Sequence, residues 1–105
     1  MKLGIIISQT DPETIWNAYR FGIFALDEGN SVKVFLFGKG VESGVEDPKF
    51  NVKEMAADYL DKGGDIYACG LCMKSRNMES SDICPRSTMK DMYQIVMESD
   101  KVVTF

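Results

Sequence analysis

Lys2-Leu3-Gly4-Ile5-Ile6-Ile7-Ser8-Gln9-Thr10-Asp11-Pro12-Glu13-Thr14 decides how this chain is built. Its first half is a continuous apolar run rich in isoleucine, the pattern of a strand buried on both faces. Its second half is a helix start. Thr10 stands where it can cap, Pro12 falls in the first turn, and Glu13 completes a T-x-x-E capping box. The helix that follows carries Ile15, Tyr19, Ile23 and Leu26 on one face, and Gly29-Asn30 ends it. A doubly buried strand that feeds straight into a helix is the opening of a parallel α/β unit.

The remaining pattern repeats that alternation. Ser31 to Phe37 reads as a second strand, and Gly38 to Lys49 as a glycine- and glutamate-containing loop. Asn51 to Leu60 is a predicted helix with Val52, Met55, Ala56 and Tyr59 on one stripe, stopped by Gly63-Gly64. Asp65 to Ala68 is a short third strand. Cys69 to Cys84 opens with a helical turn and continues as a loop. Pro85 and Ser87 then precede a third helix with Met89, Met92, Tyr93 and Val96 at i, i+3, i+4 and i+7. Lys101 to Phe105 is a closing strand. Residues 1–105 are therefore expected to form a single-domain α/β fold, a parallel sheet with helices on both faces.

Composition removes several function classes. With 45% hydrophobic and 27% charged residues, the chain of 105 residues lies in the ordinary globular range. A net charge of −4 makes it a poor ligand for phosphate backbones or anionic lipid, so no direct nucleic-acid partner is expected. No apolar run approaches the roughly 20 residues that span a bilayer, and no signal-peptide pattern is present. The expected location is cytoplasmic, with no membrane partner. Three cysteines, an odd number, argue against a disulfide framework. The absence of histidine removes the His general base, the Cys/His pair and His metal ligation.

In an open parallel sheet, ligands bind beyond the carboxyl ends of the strands. That rule selects Ser8-Gln9-Thr10, Gly38-Lys39-Gly40 and Cys69 to Cys72. The third segment, Tyr67-Ala68-Cys69-Gly70-Leu71-Cys72-Met73-Lys74-Ser75-Arg76, carries a C-x-x-C spacing with three chemical readings. Cys72 is a reactive thiol at the start of a helical turn, with Lys74 and Arg76 close by; its thiolate takes up a sulfur atom as a persulfide. Alternatively, Cys69 and Cys72 form a redox dithiol. C-G-x-C after a strand resembles thioredoxin, although there the motif follows the first strand and opens a long helix. As a third reading, Cys69, Cys72 and Cys84 supply thiolates to a metal, with a fourth ligand such as Asp82. Against all three stands plain packing, since free cysteine is among the most buried residue types. That weighs most on Cys69 and Cys84.

Over nearly its whole length the chain resembles the DsrE/DsrF-like family, which includes the TusD-type sulfur-relay proteins. The resemblance rests on the capped opening helix, Gly63-Gly64, the ending Ser99 to Phe105 and above all Ala68 to Arg76. Family members of this type carry a reactive cysteine in the loop after the third strand, followed by a basic residue. Cys72 and Arg76 match those positions. The resemblance implies a DsrE-like fold with flavodoxin-like layering, assembly into a homo-oligomer (trimer or hexamer), and sulfur transfer without cofactor or metal. Sulfane sulfur would travel as a persulfide on Cys72, held by Arg76, between donor and acceptor proteins. Cys69 and Cys84 are not general to the relay members and leave open a disulfide or a polysulfide held between two thiols. The candidate catalytic residues are thus Cys72, Cys69, Arg76 and Cys84. Two other readings stand beside sulfur transfer: a noncatalytic, partner-docking oligomeric subunit, and a thiol–disulfide oxidoreductase using Cys69 and Cys72.

The remaining features are weaker. The loop from Ser8 to Thr14 resembles the flavodoxin phosphate loop, but Asp11 and Glu13 oppose an anion there and the needed glycine is missing. Gln9 would lie beside the cysteine turn if the first and third strands were neighbours. Gly38-Lys39-Gly40 lacks the Walker spacing and reads as a turn. The acidic residues that follow it, Glu42, Glu46 and Asp47, read as a solvated loop. Seven methionines are many for this length, and the stripe on the last helix is expected in the core, with an oligomer interface as the second reading.

Overall fold

The isoleucine run forms β1 (Lys2–Ile7) in a computed structural model that describes residues 1–105. It is a central strand, paired with β2 (Ser31–Leu36) at Ile5↔Val34 and with β5 (Lys101–Thr104) at Ile5↔Val103, and it is buried from Gly4 to Ile7. β3 (Asp65–Cys69) lies beyond β2, and the two-residue β4 (Arg86–Ser87) beyond β3. All neighbours are parallel, and the order is β4-β3-β2-β1-β5. β4 was not expected from the sequence. Two polar residues after a proline carry no alternation, and only their pairing with Ala68 and Cys69 makes them a strand.

The helices fall on both faces, as the alternation required. α1 (Pro12–Asp27) and α2 (Val52–Asp61) pack together on one face, where Gly22 of α1 sits against the Tyr59 ring and Ile5. Side chains alternate along β1, so Gly4 points the other way, toward Ile95 and Ser99 at the end of α4 (Met89–Glu98). The chain reaches that face when it turns back from β4 at one edge to β5 at the other, because parallel crossovers are right-handed. α3 (Gly70–Lys74) is a single turn after β3.

Two sequence readings need correction. The cap of α1 is Asp11, whose carboxylate accepts from the Thr14 amide at 3.0 Å, and not Thr10. Pro12 takes the first helical position, which makes the preceding residue the cap. The second concerns α4. Met89, Tyr93, Val96 and Met97 are exposed, Met92 is half-buried and only Ile95 is buried. The sheet-facing stripe is Met92, Ile95 and Ser99, one residue's rotation from the expected one. Apolar residues lie on several sides of this helix, so period alone does not choose the face. The Thr88–Asp91 capping box starts it.

Candidate functional site around Cys69 and Cys72

The carboxyl ends of β1, β2 and β3 form one edge, and the chain after β2 folds over it as a 3-10 helix (Gly38–Glu42). Two contacts hold this helix down. The Phe37 amide donates to the Ile7 carbonyl at 2.9 Å, and Gly40 lies so close to that carbonyl that a Cβ would overlap its oxygen. Gly70 is needed for a similar reason: a Cβ there would meet the Ser87 carbonyl oxygen at 2.8 Å. The glycine between the cysteines thus lets β4 come close.

Cys69 ends β3 and caps α3. Its backbone is extended (φ −62°, ψ 111°), and its sulfur accepts from the Cys72 amide at 3.4 Å. A thiol here occupies the position usually held by a serine or threonine oxygen. Residue spacing does the rest: the third helical residue faces back to its cap, so both cysteines share one side of the turn. Cys69 is 4% exposed, and burial pushes its thiol up, reinforced by the neighbouring Cys72 side chain and opposed by backbone N–H groups. Cys72 is half-buried and the most accessible of the three cysteines. Leu71 between them is 77% exposed.

Arg76 belongs to the same turn. Its Nη1 donates to the Cys72 carbonyl at 3.1 Å, a carbonyl that also accepts from Ser75 Oγ at 2.9 Å. Its Nε pairs with Glu42 at 3.4 Å, which ties the cysteine turn to the 3-10 helix. Glu42 read as a solvated loop residue in sequence. It joins the site through a tertiary contact that no local pattern announces, and the same holds for Val41. Cys84 lies one residue from this link: its buried thiol donates to the Val41 carbonyl at 3.4 Å, and burial pushes it up. The structure therefore brings Cys69, Cys72 and Arg76 into one turn and holds Cys84 at the 3-10 helix. No group of three or more Cys, Asp or Glu side chains is arranged to hold a metal ion. Gln9 is not beside the cysteine turn by strand adjacency, because β2 separates β1 from β3.

The buried acids set a pH response. Burial raises Cys69 and Cys84, and it raises Tyr19 and Tyr59 far above the ordinary phenol range. In the unfolded chain these groups titrate near about 8.5 for cysteine and about 10 for tyrosine. Above those values the unfolded state releases protons that the folded state keeps, so stability falls as pH rises. The stabilisation is complete at neutral pH. The urea midpoint is expected to decline from about pH 8.5 upward; a midpoint flat to about pH 11 would contradict the burial of these groups.

Comparison with known proteins matches the chain to one family. The model of the DsrE/DsrF-like family matches residues 1–105. Uncharacterized protein MK0008 of Methanopyrus kandleri is 34% identical, covering 98% of this chain and 93% of that protein. Uncharacterized protein MJ0989 of Methanocaldococcus jannaschii is 34% identical over the full length of both. Among solved structures, the ychN protein of E. coli superposes with a TM-score of 0.81 at 21% identity, covering 100% of each chain. A conserved protein of unknown function, BT1422 of Bacteroides thetaiotaomicron, gives 0.80 at 18% identity, covering 99% of this chain and 94% of its own. At such identities the two structures share the fold.

Proposed function

The chain belongs to the DsrE/DsrF-like family, generally linked to sulfur relay, and we propose that it carries sulfane sulfur as a persulfide on Cys72 and relays it to a partner thiol. The observation that carries this reading is the difference in exposure among the three cysteines: solvent reaches Cys72, while Cys69 and Cys84 are buried. The Cys72 thiolate attacks the outer sulfur of a donor persulfide, and the donor leaves as its thiolate. An acceptor thiolate then attacks that same sulfur, and Cys72 leaves as thiolate. No organic cofactor or metal takes part. Arg76, anchored on the Cys72 carbonyl and Glu42, adds positive charge to the turn that carries the anion.

The partners in this reading are donor and acceptor proteins in the cytoplasm, where thiols stay reduced. Homo-oligomerisation into a trimer or hexamer would use the apolar side of α4, where Tyr93 is 63% and Met97 64% exposed. That same face supports the second reading, a noncatalytic docking subunit.

Alkylation of the native protein separates the two. One thiol per chain is expected to react fast and to map to Cys72, with Cys69 and Cys84 slower by about tenfold or more. A native protein with no reactive thiol would contradict the carrier reading and favour docking.

A further inference from the structure

The carrier needs only one thiol, yet a second lies on the same turn. Cys69 Sγ accepts from the Cys72 amide at 3.4 Å, so the buried sulfur lies against the residue that carries the second thiol. Cys69 is buried, so it is shielded from donors and acceptors in solution. Its immediate thiol neighbour is the very sulfur that takes up sulfane sulfur in the carrier reading. Cys84 is tied to the Val41 carbonyl instead.

We infer that Cys69 discharges the Cys72 persulfide as inorganic sulfide, giving the protein a second output besides transfer to a partner thiol. This rests on the carrier reading. In the step, the Cys69 sulfur attacks Cys72 Sγ, the inner sulfur of the persulfide. A Cys69–Cys72 bond forms and the bond from Cys72 Sγ to the outer sulfur breaks. The outer sulfur leaves as HS⁻, taking the proton from the Cys69 thiol. Two thiol sulfurs are oxidised to a disulfide and the sulfane sulfur is reduced to sulfide, so no outside oxidant or reductant is needed. Holding the two groups on one turn makes the attack intramolecular, with the advantage in effective concentration that this brings. An external dithiol reductant then reopens the disulfide by ordinary exchange. The acceptor's access decides between the outputs: a partner thiol that reaches the outer sulfur first receives it, and otherwise Cys69 releases it.

The test uses the full chain, reduced, loaded with inorganic polysulfide and desalted. Sulfide and intact mass under non-reducing conditions are then followed without reductant. Wild type is expected to lose the added sulfur of about 32 Da and end about 2 Da below the reduced mass, releasing about one sulfide per chain. The first-order rate constant should not depend on protein concentration. Cys69→Ser, which keeps an oxygen at the capping position, is expected to hold the added sulfur and release at least about tenfold less sulfide. Cys69→Ala should behave like Cys69→Ser. Wild type that retains its persulfide as long as Cys69→Ser does would overturn the discharge while leaving the carrier reading intact. A first-order rate constant, or fraction discharged per unit time, that rises with protein concentration would overturn it too, by making the attack intermolecular. Failure of wild type and both variants to take up sulfur would instead remove the carrier reading, and the discharge with it.

Discussion

Gly40→Ala is expected to lower the free energy of unfolding by about 3 kcal/mol or more, among the larger effects of any single substitution in the chain. The new Cβ would overlap the Ile7 carbonyl oxygen and its carbon. Neither is the end of a flexible side chain. Both are backbone at the end of a strand paired on both sides, so the 3-10 helix must lift instead. Lifting it strains the Phe37–Ile7 hydrogen bond, the Glu42–Arg76 pair and the Cys84–Val41 contact together. The substitution therefore tests more than packing. Along with a lower urea midpoint, Cys84 is expected to become open to alkylation in the native protein. A variant with an unchanged midpoint would show that the 3-10 helix is not pinned against β1.

Tyr59→Ala is expected to cost about 3 to 5 kcal/mol, the range for removing a large buried ring. Tyr59 is fully buried, its ring packs on Tyr19 at 5.5 Å between centroids, and it fills the space left open by Gly22 and Gly64. Its hydroxyl also lies 3.0 Å from the Val32 carbonyl and 2.9 Å from the Asp65 carbonyl, linking α2 to two neighbouring strands. Tyr59→Phe removes only that link and is expected to cost about 1 to 3 kcal/mol. The two variants together divide the ring from the hydroxyl. If Tyr59→Phe were as stable as wild type in chemical denaturation, the hydroxyl would have no structural part. It should also abolish this residue's share of the alkaline destabilisation, since phenylalanine has no proton to release.

The layering was legible because patterns of different kinds agreed. An unbroken isoleucine run, a proline at a helix start and the glycines at 29 and 63 each point to the same alternation of strand and helix. In the structure both of those glycines sit at positive φ just past a helix end. Asn51 caps α2 at the boundary its position suggested. Legibility failed where the deciding contact is distant in sequence. β4 exists through its pairing with β3, the orientation of α4 is set by the sheet beneath it, and Glu42 meets Arg76 across the fold. The cysteine turn lies between these cases. Its place beyond β3 followed from the alternation, and a helical opening from the residues. That Cys69 rather than Cys72 accepts the free amide of the turn follows from the N-cap geometry, which fixes which sulfur is buried and which is offered. Gly70 illustrates the same limit. The close neighbour that requires its small size is the backbone of β4, a strand that local pattern does not announce.

Cys72 as the sulfur-accepting thiol is tested most directly by intact mass after incubation with a sulfane-sulfur donor, wild type beside Cys72→Ser, sampled before discharge. A gain of about 32 Da in wild type and none in Cys72→Ser is the expected result. An equal gain in both proteins, or none in either, would contradict it.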